Sequence, residues 1–299
     1  MQKMFNFLKY GNRVMVISLF VIFLGLVCTF VYHNGYNWGI DFSSGVSINF
    51  AIEKSGIKDD EVKRILSSTY KTFEVNEIIL GDEFRSHFFV VVKSDVTDYA
   101  FKKDIQSALI EKLEAEYQAN VEILDSYFID SSFSSTLRTK ATLLVCLTFA
   151  LVLVYVALRF RLSYAIASIF ATIHDILFVI SFLGVFRIEI NSSIIVSILT
   201  IIGYSLNDTI IIFDRIRENS RSLTGTSFLS VLNISIGQTL SRTILTSVTT
   251  FVAVLSIYIF TEGAIKDFSL IFMVGVVVGT YSSIFIASPV LLSLYKKIK

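Results

Sequence analysis

The sequence predicts a polytopic α-helical membrane protein, a six-helix transmembrane bundle carrying an inserted α+β extracytoplasmic domain. Three observations predict it. Of 299 residues, 54% are AVILMFWYC and only 17% are charged, well on the apolar side of a soluble chain. Six apolar stretches are long enough to cross a bilayer, which takes roughly 17–25 residues of helix. Between the first and second stretches lies a segment of mixed polarity that shows strand and helix periods instead.

The chain opens with a cytoplasmic stretch, residues 1–13, carrying Lys3, Lys9 and Arg13, followed by a first span over 14–32. That apolar run is too long for a cleavable secretory signal, and no small-x-small cleavage site follows it. Residues 33–136 form the extracytoplasmic segment, with a folded domain over 46–130. Val46, Ile48 and Phe50 alternate as in a half-buried strand, and Val62, Ile65 and Leu66 sit at helical spacing within 58–71. Strands over 74–81 and 87–93 are joined by a Gly81-Asp82-Glu83 turn. A helix over 97–118 turns Ile105, Leu109 and Leu113 to one side, and a last strand runs over 120–129. The order βαββαβ is that of a ferredoxin-like domain. It contains no nucleophile with a base, no metal cluster and no phosphate loop, which favours docking or substrate contact over catalysis.

The remaining spans are predicted over 141–158, 163–186, 190–213, 243–260 and 268–293, within a bundle of residues 137–295, before a short cytoplasmic tail of 296–299. Twelve Lys and Arg residues fall on one side, from Lys3 through Arg159, Arg161, Arg215, Arg217, Arg221 and Arg242 to Lys299, against Arg187 and Lys266 in the short opposite loops. The positive-inside rule then puts both termini in the cytoplasm. The long loop has ten Lys or Arg and eighteen Asp or Glu, in keeping with an outside location. There is no basic excess for nucleic acid, and Cys28 and Cys146 both lie in apolar runs, so neither a disulfide framework nor a cysteine zinc site is expected. Pro289, the single proline, predicts a kink or the exit of the last span.

Ionisable side chains inside a membrane are costly and point to function. Three places qualify: His174-Asp175 near the middle of the third span, Asn207-Asp208 toward the cytoplasmic end of the fourth, and Arg242 opening the fifth beside Ser241, Thr243, Thr246 and Ser247. A carboxylate in low dielectric holds its proton more tightly, and a nearby guanidinium loosens it, so these groups read as a proton relay: Asp208 with Asn207, facing Arg242, and the His174-Asp175 pair. The alternative is a static hydrogen-bonded network that orders the bundle. Asp oxygens with Asn and Ser could also take sodium in place of a proton. Asp214, Arg215 and Arg217 read more simply as an interfacial cluster that fixes topology. Gly275 and Gly279 form a GxxxG spacing that permits close helix approach.

Four separated motifs carry a resemblance. They are Gly39-Ile-Asp41-Phe42-Ser-Ser-Gly45; Gly203-Tyr204-Ser205-Leu-Asn207-Asp208-Thr209 with Phe213-Asp214-Arg215; Gln238-Thr-Leu-Ser-Arg242-Thr243; and Val278-Gly279-Thr-Tyr-Ser-Ser283. Together with the span count and the single large first loop, they resemble the SecD/SecF family of protein-export membrane subunits, of the resistance-nodulation-division superfamily, over essentially the whole chain. The match is to the SecF side. Ser44 departs from the family pattern, where Gly is expected.

The resemblance implies a non-enzymatic accessory role in Sec-dependent secretion at the bacterial inner membrane, without a cofactor. A separate SecD would supply the other six spans. The SecYEG channel and YajC would be further partners, and unfolded preprotein the substrate, with the proton-motive force as energy source. It also implies that Asp208 and Arg242 occupy positions linked to proton transport, and it matches His174-Asp175 to a third-span pair. The competing reading is half of a proton-coupled exporter of small or lipid-like substrates, and a third is a scaffold without ion flux.

Overall fold

The computed structural model describes residues 6–67, 73–78, 85–93 and 99–298. The chain divides into two units, one made of residues up to 37 with those from 143 onward, the other of residues 38–142. Six helical stretches are long and apolar enough to cross a membrane, as predicted.

In the first unit, α1 (Leu8–Val27) continues through a π-helical turn, Cys28–Tyr32, so the first span starts six residues earlier than expected. The other spans are α5 (Ser131–Arg159), α6 (Leu162–Val185), α7 (Ser192–Ser222) and α8 (Phe228–Phe260). The sixth is α9 (Ala264–Ser282), followed by a π turn, Ser283–Ala287, and α10 (Ser288–Ile298). Helices α5, α7 and α8 each extend well beyond the predicted apolar window. Apolarity marks only the part of a helix that lipid surrounds, whereas the backbone continues until a cap or turn stops it. Pro289 therefore does not end the span, which continues as α10 to Ile298. A residue without an N–H leaves a carbonyl one turn back unpaired, and the preceding π turn is where the helix absorbs that mismatch.

Helix contacts are set by small residues. A Cβ on Gly275 would collide with the Ile201 side chain, and one on Gly279 would lie 3.0 Å from Ser205 Cβ and 3.2 Å from its Cα. The GxxxG face thus lies directly on α7, within this chain. Gly25 of α1 approaches Ser181 of α6 in the same manner, and Gly184 of α6 approaches Thr29 at the other end of that crossing. By contrast α5 offers the bundle only its C-terminal end, where Val156 is fully buried while Leu143, Leu147 and Leu151 are exposed.

The second unit has the element order β1 (Gly45–Ile52), α3 (Asp59–Ser67), β2 (Phe73–Ile78), β3 (Ser86–Lys93), α4 (Tyr99–Tyr117) and β4 (Val121–Ile129). These strands form one antiparallel sheet in the order β2-β3-β1-β4. Val46, Ile48, Phe50 and Ile52 from β1 pack with Phe88, Val90 and Val92 from β3, under Val62 and Leu66 of α3 and Ile105, Leu109 and Leu113 of α4. The period-two and helical patterns read from the sequence are the ones that build this core. The Gly81-Asp82-Glu83 turn lies outside the described residues.

A short helix α2 (Ile40–Ser43) leads into β1. Phe42 is buried against Trp38, its N–H donates to the Gly39 carbonyl at 3.0 Å, and Ser43 Oγ donates to the same carbonyl. Ser44 has φ 65° and Gly45 φ 145°. The position where the family pattern has Gly is therefore a left-handed one, held here by Ser at a steric cost of about 1–2 kcal/mol. Ser44→Gly is expected to stabilise this unit by about 0.5–1 kcal/mol in chemical denaturation of the whole chain.

Asp130 caps α5: its Oδ1 accepts from the Ser132 N–H at 2.9 Å. That hydrogen bond holds its carboxyl below the ordinary carboxylate range. With the folded value lowered, the cap contributes fully above the ordinary range near 4 and is lost as pH falls through the lowered value. The protection factor of the Ser132 amide, its exchange rate relative to the unprotected rate at the same pH, should therefore hold at pH 5 and fall only on stronger acidification; Asp130→Asn should make it independent of pH.

Candidate functional site: two buried carboxylates

Three consecutive side chains at the end of α9 reach three different helices. Thr280 Oγ1 lies 2.7 Å from Ser247 Oγ of α8, Tyr281 OH lies 2.7 Å from Ser18 Oγ of α1, and Ser282 Oγ donates to Asp175 Oδ2 of α6 at 2.8 Å. Successive residues of an α-helix point about 100° apart, which is how one turn serves three neighbours. Gly279 just before them brings this turn onto α7.

Asp175 is completely buried and fully engaged. Its Oδ2 also accepts from Ser205 Oγ at 2.5 Å, and its Oδ1 lies 2.9 Å from His174 Nδ1. The other ring nitrogen, Nε2, is 2.7 Å from Ser18 Oγ. The His174 ring stands edge-on to Tyr281, with centroids 5.8 Å apart. One connected set of polar groups thus ties α1, α6, α7 and α9 together.

Asp208 is equally buried but only half satisfied. Its Oδ2 accepts from Ser247 Oγ at 3.4 Å, and its Oδ1 has no hydrogen-bond partner among the described residues. Ser247 has a second acceptor, the Thr243 carbonyl at 2.8 Å. The Thr243 hydroxyl and the Tyr204 hydroxyl are also buried without partners.

The expected meeting of Asp208 and Arg242 does not occur. Thr243 and Ser247, one turn apart, turn the same face of α8 inward, and Arg242 lies about 100° away from Thr243 on the exposed side. It forms no ion pair among the described residues. Asn207, adjacent to Asp208, is exposed for the same geometric reason, as is Gly203 one turn earlier. A Cβ on Gly203 would meet nothing within 4 Å.

The remaining motif residues separate into two groups. Asp214 pairs with Arg159 at 3.3 Å, and Arg215 bonds Glu218 and Gln238, both at 2.6 Å, in the exposed charge cluster expected at the end of α7. Gly39, Asp41, Phe42 and Gly45 belong to the other unit and form the entry to β1. Sequence reasoning passed over Ser18 and took Tyr281 only as part of the Val278–Ser283 motif. The available signal for Ser18 was a lone hydroxyl within the otherwise apolar middle of the first span.

Asp175→Ala removes the acceptor for three buried donors and is expected to destabilise the chain by about 3–5 kcal/mol. Arg242→Ala should change stability by less than about 0.5 kcal/mol. Unfolding midpoints of both variants in one lipid-mimetic check the contrast.

The chain resembles known proteins over its whole length. Residues 109–297 match the family model described as protein export membrane protein SecD/SecF, C-terminal. The protein translocase subunit SecF of Borreliella burgdorferi is 67% identical over 299 residues, covering all of both chains. The protein translocase subunit SecDF of Brucella abortus is 32% identical over 275 residues, 92% of this chain and 35% of that one. A crystal structure of SecDF from Thermus thermophilus superposes with a TM-score of 0.83 at 29% identity, covering 99% of this chain and 39% of that chain. This chain therefore spans about two fifths of that SecDF protein, while it matches the Borreliella protein end to end. The family model covers more than half of the chain and the Borreliella protein matches all of it, and the chain belongs to the SecD/SecF family of protein-export membrane proteins.

Proposed function

We propose that this chain is the SecF-type subunit of a protein translocase in the bacterial inner membrane. In this reading it works with a SecD-like partner, uses the proton-motive force to complete export of preproteins, and carries the proton on Asp208. The single observation behind the last point is the half-satisfied carboxyl of Asp208 among hydroxyls that can reverse their bonds. With Asp208 ionised, Ser247 donates to it. With Asp208 protonated, Ser247 turns to the Thr243 carbonyl and can accept from the acid, and Oδ1 offers a further seat for the proton. Both charge states find a hydrogen-bonded arrangement without moving a helix. Asp175, with every donor in place, is the more static of the two carboxylates.

The fused SecDF relatives support a SecD-like partner. The exposed side of α7, with Thr200, Gly203 and Asn207, gives it a seat. Polar and small residues facing lipid are unfavourable, whereas against another helix they allow close approach and hydrogen bonding. Arg242, exposed on neighbouring α8, then finds its carboxylate or phosphate partner outside this chain. The partner cannot pack on Gly279, which α7 already covers. Cytoplasmic termini follow from the positive-inside count, and SecYEG and YajC from the family.

The unit of residues 38–142 is read as ferredoxin-like, because antiparallel strands in the order 2-3-1-4 with two helices are what that fold requires. Its role in this reading is contact with unfolded chain or with the partner's domain. An exporter of small molecules finds less support, since the chain corresponds to SecF rather than to a double-length exporter.

Reconstitution with a SecD-like subunit and a SecY-type channel tests the reading. Asp208→Asn should abolish gradient-stimulated export while leaving insertion and SecD association intact. Gly203→Leu should leave the chain's own stability unchanged and lower co-purification of the partner at least tenfold. Full proton flux and export in Asp208→Asn would reassign that residue to packing.

A further inference from the structure

The second buried carboxylate has a property that a static cross-brace does not need. Asp175 accepts from Ser205 and Ser282, and His174 Nδ1 lies 2.9 Å from its remaining oxygen. A carboxylate there can only accept, so Nδ1 carries the hydrogen. In a neutral ring Nε2 is then the acceptor, and among the described residues the hydroxyl within reach is that of Ser18, at 2.7 Å. Ser18 has one hydrogen, spent on Nε2, so at 2.7 Å from Tyr281 it must accept. Each donor direction is forced by the one before it: Tyr281 O–H to Ser18, Ser18 O–H to His174 Nε2, His174 Nδ1–H to Asp175. Ser18, His174 and Asp175 are buried, and Tyr281 is half-buried at the open end of the chain.

We propose that His174 and Asp175, with Ser18 and Tyr281, form a second proton-binding site, separate from Asp208, whose occupancy reverses a hydrogen-bonded chain ending on α1. The step balances as a relay. A proton arriving on the Tyr281 oxygen displaces the phenolic hydrogen onto Ser18, and the Ser18 hydrogen moves onto His174 Nε2. The product has an imidazolium donating from both nitrogens, Ser18 donating to Tyr281, and Tyr281 donating outward. One proton has entered, the pair has gone from net negative to neutral, and all three bonds survive with two reversed. Among the described residues, the titratable groups facing His174 are Asp175 of its own helix and Tyr281 of α9; α1 and α7 contribute the hydroxyls of Ser18 and Ser205.

The location gives the site a use. Ser18 lies midway along α1, the helix whose far end continues into residues 38–142. Close contacts at Gly25 and Gly184 hold α1 against α6. Reversing the Ser18 bonds changes what fastens α1 to α6 and α9, so the proton state is presented to the helix that enters the outer unit. This deepens the proton-driven reading, but its test does not depend on export.

The measurement is the nitrogen spectrum of the His174 ring in the full chain in lipid bilayers. His33, His87 and His174 are the three histidines, and His174-Asp175 is the sole His-Asp pair in the sequence, so carbonyl-labelled His with nitrogen-labelled Asp assigns it without mutation. In basic buffer the ring should carry its hydrogen on Nδ1, and acidification should add one at Nε2. Ser18→Ala should keep the Nδ1–H form and break the chain to Tyr281, changing how Nε2 responds to acid. Asp208→Asn should leave the titration unchanged, which separates this site from the other. A hydrogen on Nε2 in basic buffer, a ring already doubly protonated there, or a ring that stays neutral on acidification would each overturn the proposal. Loss of export in Asp208→Asn with a non-titrating His174 would retain the function and remove this site. A titrating His174 with export intact in Asp208→Asn would retain this site and reassign Asp208 to packing.

Discussion

The bundle depends on keeping a carboxylate at the middle of the membrane supplied with hydrogen-bond donors. An Asp side chain at a helix centre costs about 2.5–3.5 kcal/mol to insert, even before the question of where it points. Asp175 meets that cost with donors from its own helix and from α7 and α9, and through His174 the set extends to α1. Four of the six spans are thereby fixed in relative position by one carboxyl group. In a lipid environment the hydrophobic effect does not choose between one apolar helix face and another, so such polar contacts and close packing decide which faces meet.

Close packing makes the polar contacts possible. Ser205 and Ser282 have short side chains, and both reach the same Asp175 oxygen because Gly275 and Gly279 let α9 sit directly on Ile201 and Ser205. Larger residues at the glycines would hold the helices apart by more than a hydroxyl can span. The π turn after Ser282 follows the same logic: Thr280, Tyr281 and Ser282 need three separate directions, and the irregular turn with Pro289 behind it lets the helix resume afterward. Rigid glycine contacts and adaptable hydroxyls are therefore adjacent parts of one device.

The two carboxylates differ in how completely they are satisfied, and this difference carries the functional reading. Asp175 has a full set of partners, whereas Asp208 shares one hydroxyl with a backbone carbonyl and leaves an oxygen unpaired. A group that must change charge benefits from partners that can either donate or accept, and serine and threonine hydroxyls are the side chains that do both. Asn207 and Arg242, by contrast, look outward from α7 and α8 and take no part in either carboxylate's set of partners.

Spans, the βαββαβ order and the family were legible in the sequence because they rest on local signals. These are apolar length, alternation over Val46 to Phe50, helical spacing over Ile105 to Leu113, and motifs such as Asn207-Asp208. The Gly275–Gly279 spacing likewise announced a close crossing, and the structure supplies α7 as the helix crossed. The ends of α5, α7 and α8 were not legible, since a helix outlasts the apolar window that reveals it. Nor were the partners of the ionisable groups. Asp208 and Arg242 stand at similar depth on neighbouring spans, and depth is all that counting residues from a loop provides. Whether two side chains meet depends on rotation about each helix axis, and a one-residue step of about 100° separates Thr243, which faces inward, from Arg242, which does not. Sequence by itself determined which ionisable residues fall within the spans and at what level. Only the tertiary structure decided that Asp175 is paired through His174 to Ser18 and that Asp208 turns to Ser247, because helix rotation is set by packing contacts distant in the chain.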